Sequence, residues 1–113
     1  MNIQPGDIFL SKCHANEGSS KIKGLRPVVV VRSVENSTLV HVIPLTTNQK
    51  RRISRIHVKI EGHGLKKPSI ALIEQTRLID KKLLGKQIGT IANTKQMSNI
   101  IYRLICYFNP NIA

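Results

Sequence analysis

Aromatic side chains are scarce in this chain of 113 residues, which has no tryptophan, two tyrosines and two phenylalanines. Modules that read unpaired bases usually stack them on aromatic rings, so a plain stacking platform is not expected. Acidic residues are scarce too. Six Asp and Glu leave few carboxylates to cluster, and His14, His41, His57 and His63 show no H-E-x-x-H spacing. A two-metal hydrolytic centre is therefore not expected, and no metal or other cofactor is implied. Cys13 and Cys106 are far apart and belong to no C-x-x-C pair, which points away from a zinc site or a disulfide framework and towards free cytoplasmic thiols. No apolar run approaches the ~18 residues of a membrane span, and the N-terminus lacks a basic segment followed by an apolar one. No membrane partner is expected. Phosphate-binding loop, nucleophile elbow and dinucleotide fingerprint are all missing.

Positive charge is what the chain has in excess. Eighteen Lys and Arg against six acids give a formal net charge of +12 and a pI near 10.3, the balance of a protein that meets a polyanion. RNA, DNA or an acidic protein would each satisfy it, because counterion release drives binding regardless of sequence or sugar. A solvated basic surface without a cognate polyanion is the plainer reading. Hydrophobic residues at 41% and charged ones at 21% are ordinary globular composition. The length suits one domain over residues 1–113, small enough to gain by dimerising over any apolar face left open.

Along the chain, Pro5-Gly6 signals a turn and Asp7–Lys12 a first strand. A polar loop follows from about Cys13 to Gly24, with almost nothing to bury. The run Arg26–Arg32 is continuously apolar and β-branched between its arginines, as in a strand covered on both faces. Glu35–Ser37 supplies a turn, and Thr38–Leu45 returns as a hairpin partner, with Pro44 expected at its end because proline cannot donate to a ladder. Residues Thr46–Ser54 read as a basic loop. Alternation in Ile56, Val58 and Ile60 predicts a half-buried strand with His57, Lys59 and Glu61 facing solvent. Gly62-His63-Gly64 turns the chain, Ser69–Gln75 reads as a central strand, and Ile88–Ile91 as a brief last one. Met97, Ile100, Ile101, Leu104, Ile105 and Phe108 recur at helical spacing, with Asn93 or Thr94 as N-cap and Pro110 beyond the end. The apolar stripe is assigned to the core, with a dimer contact as the alternative. Strands first and one helix last imply a mainly β fold, a compact antiparallel sheet or small barrel closed by a helix.

The candidate chemistry is phosphate-directed. In a hairpin the start of one strand lies beside the end of the next, so Arg26 and Thr46 should share one rim of the sheet. A guanidinium matches phosphate oxygens and a hydroxyl adds a short donor. Arginine before proline is also a common loop residue and threonine a common strand end, so these two alone carry little weight.

Their context adds to it. Pro5-Gly6-Asp7-Ile8, then Gly24-Leu25-Arg26-Pro27 with Val28–Val31, then Pro44-Leu45-Thr46-Thr47, then Ser69 to Lys81 (Ser-Ile-Ala-Leu-Ile-Glu-Gln-Thr-Arg-Leu-Ile-Asp-Lys) together resemble the MazF/PemK toxin family over nearly the whole chain. The resemblance implies a homodimer of small SH3-like antiparallel β-barrels, the plasmid-maintenance-toxin or CcdB-like architecture. It also implies cleavage of single-stranded RNA and inhibition by an acidic antitoxin. It makes Arg26 and Thr46 the catalytic pair. The basic loops around Lys21, Lys23, Lys50, Arg51 and Arg52 are then the expected RNA contacts, with Thr47, Asn48, Gln49 and Gln75 beside them, although such charges also serve solubility alone. A family variant with a histidine in the first loop and Arg-x-Asp in the fifth strand is not matched, since Ser20 stands where that histidine would be. His14 is then a candidate for proton transfer. Two other readings stay open: a CcdB-like toxin that binds DNA gyrase without catalysis, and a basic barrel that coats nucleic acid.

Overall fold

The computed structural model describes residues 2–12, 24–48 and 55–112. Its strands are β1 (Asp7–Ser11), β2 (Arg26–Ser33), β3 (Leu39–Thr46), β4 (Val58–Ile60), β5 (Ser69–Ala71), β6 (Arg77–Asp80) and β7 (Leu84–Thr90), followed by helix α1 (Lys95–Phe108). All pairings are antiparallel, in the order β4-β5-β3-β2-β1-β7, with β6 also against β3. The expected barrel is present as a curled half-barrel: among the described residues no ladder joins its outer strands β4 and β7.

The valine run forms the centre. Val28, Val29 and Val30 are fully buried, and they divide between two apolar clusters on opposite sides of the sheet. Ile8, Val29 and Ile43 face one cluster, which Met97, Ile100 and Leu104 of α1 complete. Phe9, Val28, Val30 and Val42 face the other, with Ile79 and Leu84. This two-sided burial is why the run lacks polar alternation.

Pro44 lies inside β3, not at its end. It falls where the partner on the edge away from β2 changes, from β6, which pairs Arg77 with Val42, to β5, which pairs Ala71 with Leu45. The Pro44 carbonyl meanwhile accepts from the Leu72 N–H at 3.0 Å. The expected strand Ser69–Gln75 stops at Ala71, and Ile73–Gln75 instead form a 3-10 turn before β6 begins. Ala71, Leu72 and Ile73 are all fully buried because the chain turns through the junction between layers. Uniform apolarity here reports depth, which a strand and a buried turn share. The last strand runs over Leu84–Thr90, well before the expected Ile88.

At the C-terminus the helix is as expected. Thr94 is the N-cap: its hydroxyl accepts from the Met97 N–H at 3.3 Å and donates to the Ile91 carbonyl at 2.6 Å. The stripe divides, with Met97, Ile100 and Leu104 in the core, whereas Ile101, Ile105 and Phe108 are exposed.

Candidate active site

Strands β1, β2 and β3 bring three residues to one rim. Ser11 pairs with Arg26, and the register that sets Val28 against Pro44 carries Arg26 level with Thr46 two residues on. Cross-strand partners present their side chains to the same side of a sheet. Ser11, Arg26 and Thr46 therefore share one side of the rim, while Pro27 and Thr47 belong to the other. Arg26 is exposed, Thr46 is 6% exposed, and Ser11 is buried with its hydroxyl donating to the Leu83 carbonyl at 2.9 Å.

The Thr46 hydroxyl accepts from the Asn48 backbone N–H at 3.1 Å, a short turn that ends β3 and fixes the side chain. A hydroxyl also carries a proton to donate. A cation fork and an oriented alcohol are thus carried towards the same end of the hairpin. Thr47 and Asn48 are exposed beside them. Gln75 closes the 3-10 turn that lies against β3, where the Leu72 N–H donates to the Pro44 carbonyl at 3.0 Å and the Thr76 hydroxyl to the Val42 carbonyl at 3.2 Å. His14, Lys21, Lys23, Gln49, Lys50, Arg51 and Arg52 lie outside the described residues.

The histidines differ from expectation in one case. His57 does not face solvent: its side chain is 7% exposed, and its Nε2 lies 2.8 Å from Oε1 of Glu74 on the 3-10 turn. Only Val58–Ile60 form the strand, so the alternation extended to His57 fails where the backbone leaves the sheet. Neither partner carries a local signal, because the pairing spans 17 positions of sequence. His41 lies on β3, half-buried, and burial pushes its pKa below the usual 6.5. Five residues separate it from Thr46, roughly 16 Å of strand, too far to exchange a proton at the rim.

Two cations passed over in the sequence, Lys66 and Lys67, are exposed on the turn after β4. They line a cavity of about 420 Å³ together with Leu10, Pro27 and Thr47. Among the described residues, no group of three His, Cys, Asp or Glu side chains is placed to hold a metal ion, and no helix is long and apolar enough to cross a membrane.

Comparison with known proteins decides the family. The profile of the PemK-like, MazF-like toxins of type II toxin-antitoxin systems matches residues 4–108. The chain belongs to this toxin family. The toxin is 31% identical over 100 residues to the Endoribonuclease MazF of Staphylococcus epidermidis, covering 84% of this chain and 82% of that one. Its fold matches the Mycobacterium tuberculosis toxin MazF-mt6 with a TM-score of 0.70 at 24% identity, over 91% of this chain and 96% of the other. A mycobacterial endoribonuclease in complex with its cognate antitoxin matches with a TM-score of 0.71 at 17% identity, over 96% and 95%. The half-barrel with its terminal helix is thus the fold of this toxin family.

Proposed function

We propose that this toxin is a sequence-specific endoribonuclease that cuts single-stranded RNA in the cytoplasm, without a metal, leaving 2′,3′-cyclic phosphate and 5′-hydroxyl ends. The support for this reading is the strand register: Ser11 pairs with Arg26, and continuing the β2–β3 ladder two residues beyond Val28 and Pro44 sets Arg26 level with Thr46 on one side of the sheet. RNA supplies its own nucleophile: the 2′-oxygen bonds to the adjacent phosphorus, and the bond to the 5′-oxygen breaks. The 2′-hydroxyl proton must leave and the departing 5′-oxygen must gain one. What the protein must add is stabilisation of the negative phosphoryl oxygens, and Arg26 and Thr46 are suited to that as donors. Such a donor typically contributes ~3 kcal/mol to the transition state.

Arginine, with a pKa above ~12, does not serve well as the general base. His14 is the candidate for that step. Thr47, Asn48 and Gln75, with the basic residues Lys21, Lys23, Lys50, Arg51 and Arg52 and with Gln49, would hold the RNA strand. The formal charge of +12 suits both RNA and an acidic antitoxin whose flexible tail orders as it binds. A homodimer is supported by the exposed apolar residues of α1, Ile101, Ile105 and Phe108.

The test is incubation of the purified toxin with mixed-sequence single-stranded RNA in EDTA, followed by analysis of the fragment ends. Cyclic-phosphate products that vanish in Arg26→Ala are expected. Retardation of the RNA without cutting, or capture of DNA gyrase instead, would overturn the assignment.

A further inference from the structure

The turn between β4 and β5 runs through left-handed backbone. Gly62, His63 and Gly64 are consecutive residues with φ of +77°, +54° and +91°, a left-handed run of a kind that side chains disfavour. The turn is also pressed backbone to backbone against β7. A Cβ on Gly64 would collide with the Ile88 carbonyl, and one on Gly89 with the carbonyl of His63. Glycine takes this conformation freely, so the sequence Gly-His-Gly fits the turn, and the close approach to β7 is what excludes a side chain at Gly64 and Gly89. The next residues, Leu65, Lys66 and Lys67, line one cavity with Leu10, Leu25 and Pro27 at the ends of β1 and β2.

What they close is the cavity of about 420 Å³, walled by Leu10, Pro27, Leu65 and Ile88, with Lys66 and Lys67 also lining it. Both lysines are exposed. Its position ties it to the catalytic rim. Pro27 follows Arg26 and Thr47 follows Thr46, so the cavity opens on the reverse side of the same strand ends. Apolar walls with cations among them suit a ligand that is flat and uncharged in one part and anionic in another, within the size range of small-ligand sites. A nucleotide of single-stranded RNA joins both in one unit, whereas an acidic peptide matches it only where an aromatic residue stands beside an acidic one.

Resting on the nuclease reading above, we infer that this cavity takes the base of a nucleotide adjoining the scissile bond, with its phosphate met by Lys66 or Lys67. The strand would then bend over the rim, its scissile phosphate at Arg26 and Thr46 and one neighbouring base behind them. Sequence preference at that position comes from the shape of the cavity, with no aromatic platform needed.

The experiment uses the full-length toxin and a single-stranded RNA of about ten nucleotides spanning one mapped cleavage site. A 2′-deoxy sugar 5′ of the scissile bond prevents cutting during titration. Removing bases one at a time should identify one position beside the scissile bond where loss of the base weakens binding about tenfold. In Leu65→Ala that penalty should shrink to less than about threefold, because the wall that held the base is gone. Lys66→Ala should weaken every probe alike. If Leu65→Ala does not fold, Leu25→Ala makes the same test, since Leu25 lines the cavity and is 48% exposed. A penalty unchanged in the folded variant, or no base-dependent position at all, overturns the inference. The all-ribose RNA left uncut by the wild-type toxin would instead mark failure of the nuclease reading itself.

Discussion

Arg26 and Thr46 contribute to different features of the same rim, and their substitutions should separate. Arg26 is exposed and its value lies in the planar fork, so Arg26→Ala should lower the cleavage rate about 10²–10³-fold, and Arg26→Lys should recover only part of it because an ammonium is a point donor. Thr46 also anchors its own turn through Asn48. Thr46→Ser keeps the hydroxyl and should retain most activity, whereas Thr46→Val keeps the shape and loses the rate. Single-turnover cleavage of one labelled RNA measures all four, and a fully active Thr46→Val would remove the hydroxyl from the chemistry. His41 gives a prediction on stability. Burial lowers its pKa below 6.5, so the unfolded chain takes up the proton at a higher pH than the folded one. The stability tied to neutral His41 is present above pH 6.5 and declines as pH falls through 6.5 towards the lower folded value. Urea midpoints at several pH values should fall less steeply on acidification for His41→Gln than for the wild type. Equal slopes would show that burial of this imidazole has no role in acid sensitivity.

Among the elements, α1 makes the clearest case for local chemistry deciding structure. Its cap, apolar spacing and stop are all within a few residues, so the helix was legible from sequence down to the alternative caps, of which Thr94 is the one used. Thr94→Ala removes both bonds of the cap hydroxyl and should cost about 1 kcal/mol, seen as a melting temperature several degrees lower. Strands β1, β2 and β3 were legible for a similar reason, since turn residues bracket them and their apolar runs exceed what a loop would tolerate. β7 was not: its Leu-Gly-Lys-Gln-Ile-Gly-Thr sequence is an outer strand with three exposed residues in a row, Gly85, Lys86 and Gln87. Long-range pairing with β1, interrupted by two register shifts, makes it a strand. The same limit applies at the candidate site. Arg26 and Thr46 could be placed together from the sequence because one hairpin joins them, whereas the His57–Glu74 contact and the cavity beside Lys66 depend on elements that meet only in the folded chain.

For the whole molecule, the controlling quantity is a net charge of +12 on a small half-barrel. On the proposed function, such a surface would attract RNA and an acidic antitoxin through the same counterion release, so the two ligands should respond to salt together. If about four phosphates are neutralised at a slope of about 0.7 each, a fourfold rise in salt weakens RNA binding roughly fiftyfold. Titrating the deoxy-substituted RNA at 50 and 200 mM NaCl, with and without an acidic peptide in competition, tests this. Parallel loss of RNA affinity and of peptide competition is expected if both lie on the basic rim. A peptide that still blocks RNA at high salt would be held by apolar contacts, and the exposed residues Ile101, Ile105 and Phe108 of α1 would then be the surface to substitute. On the proposed mechanism, charge would bring the polyanion to the rim at long range, and the hairpin register would decide which phosphate meets the guanidinium and the hydroxyl.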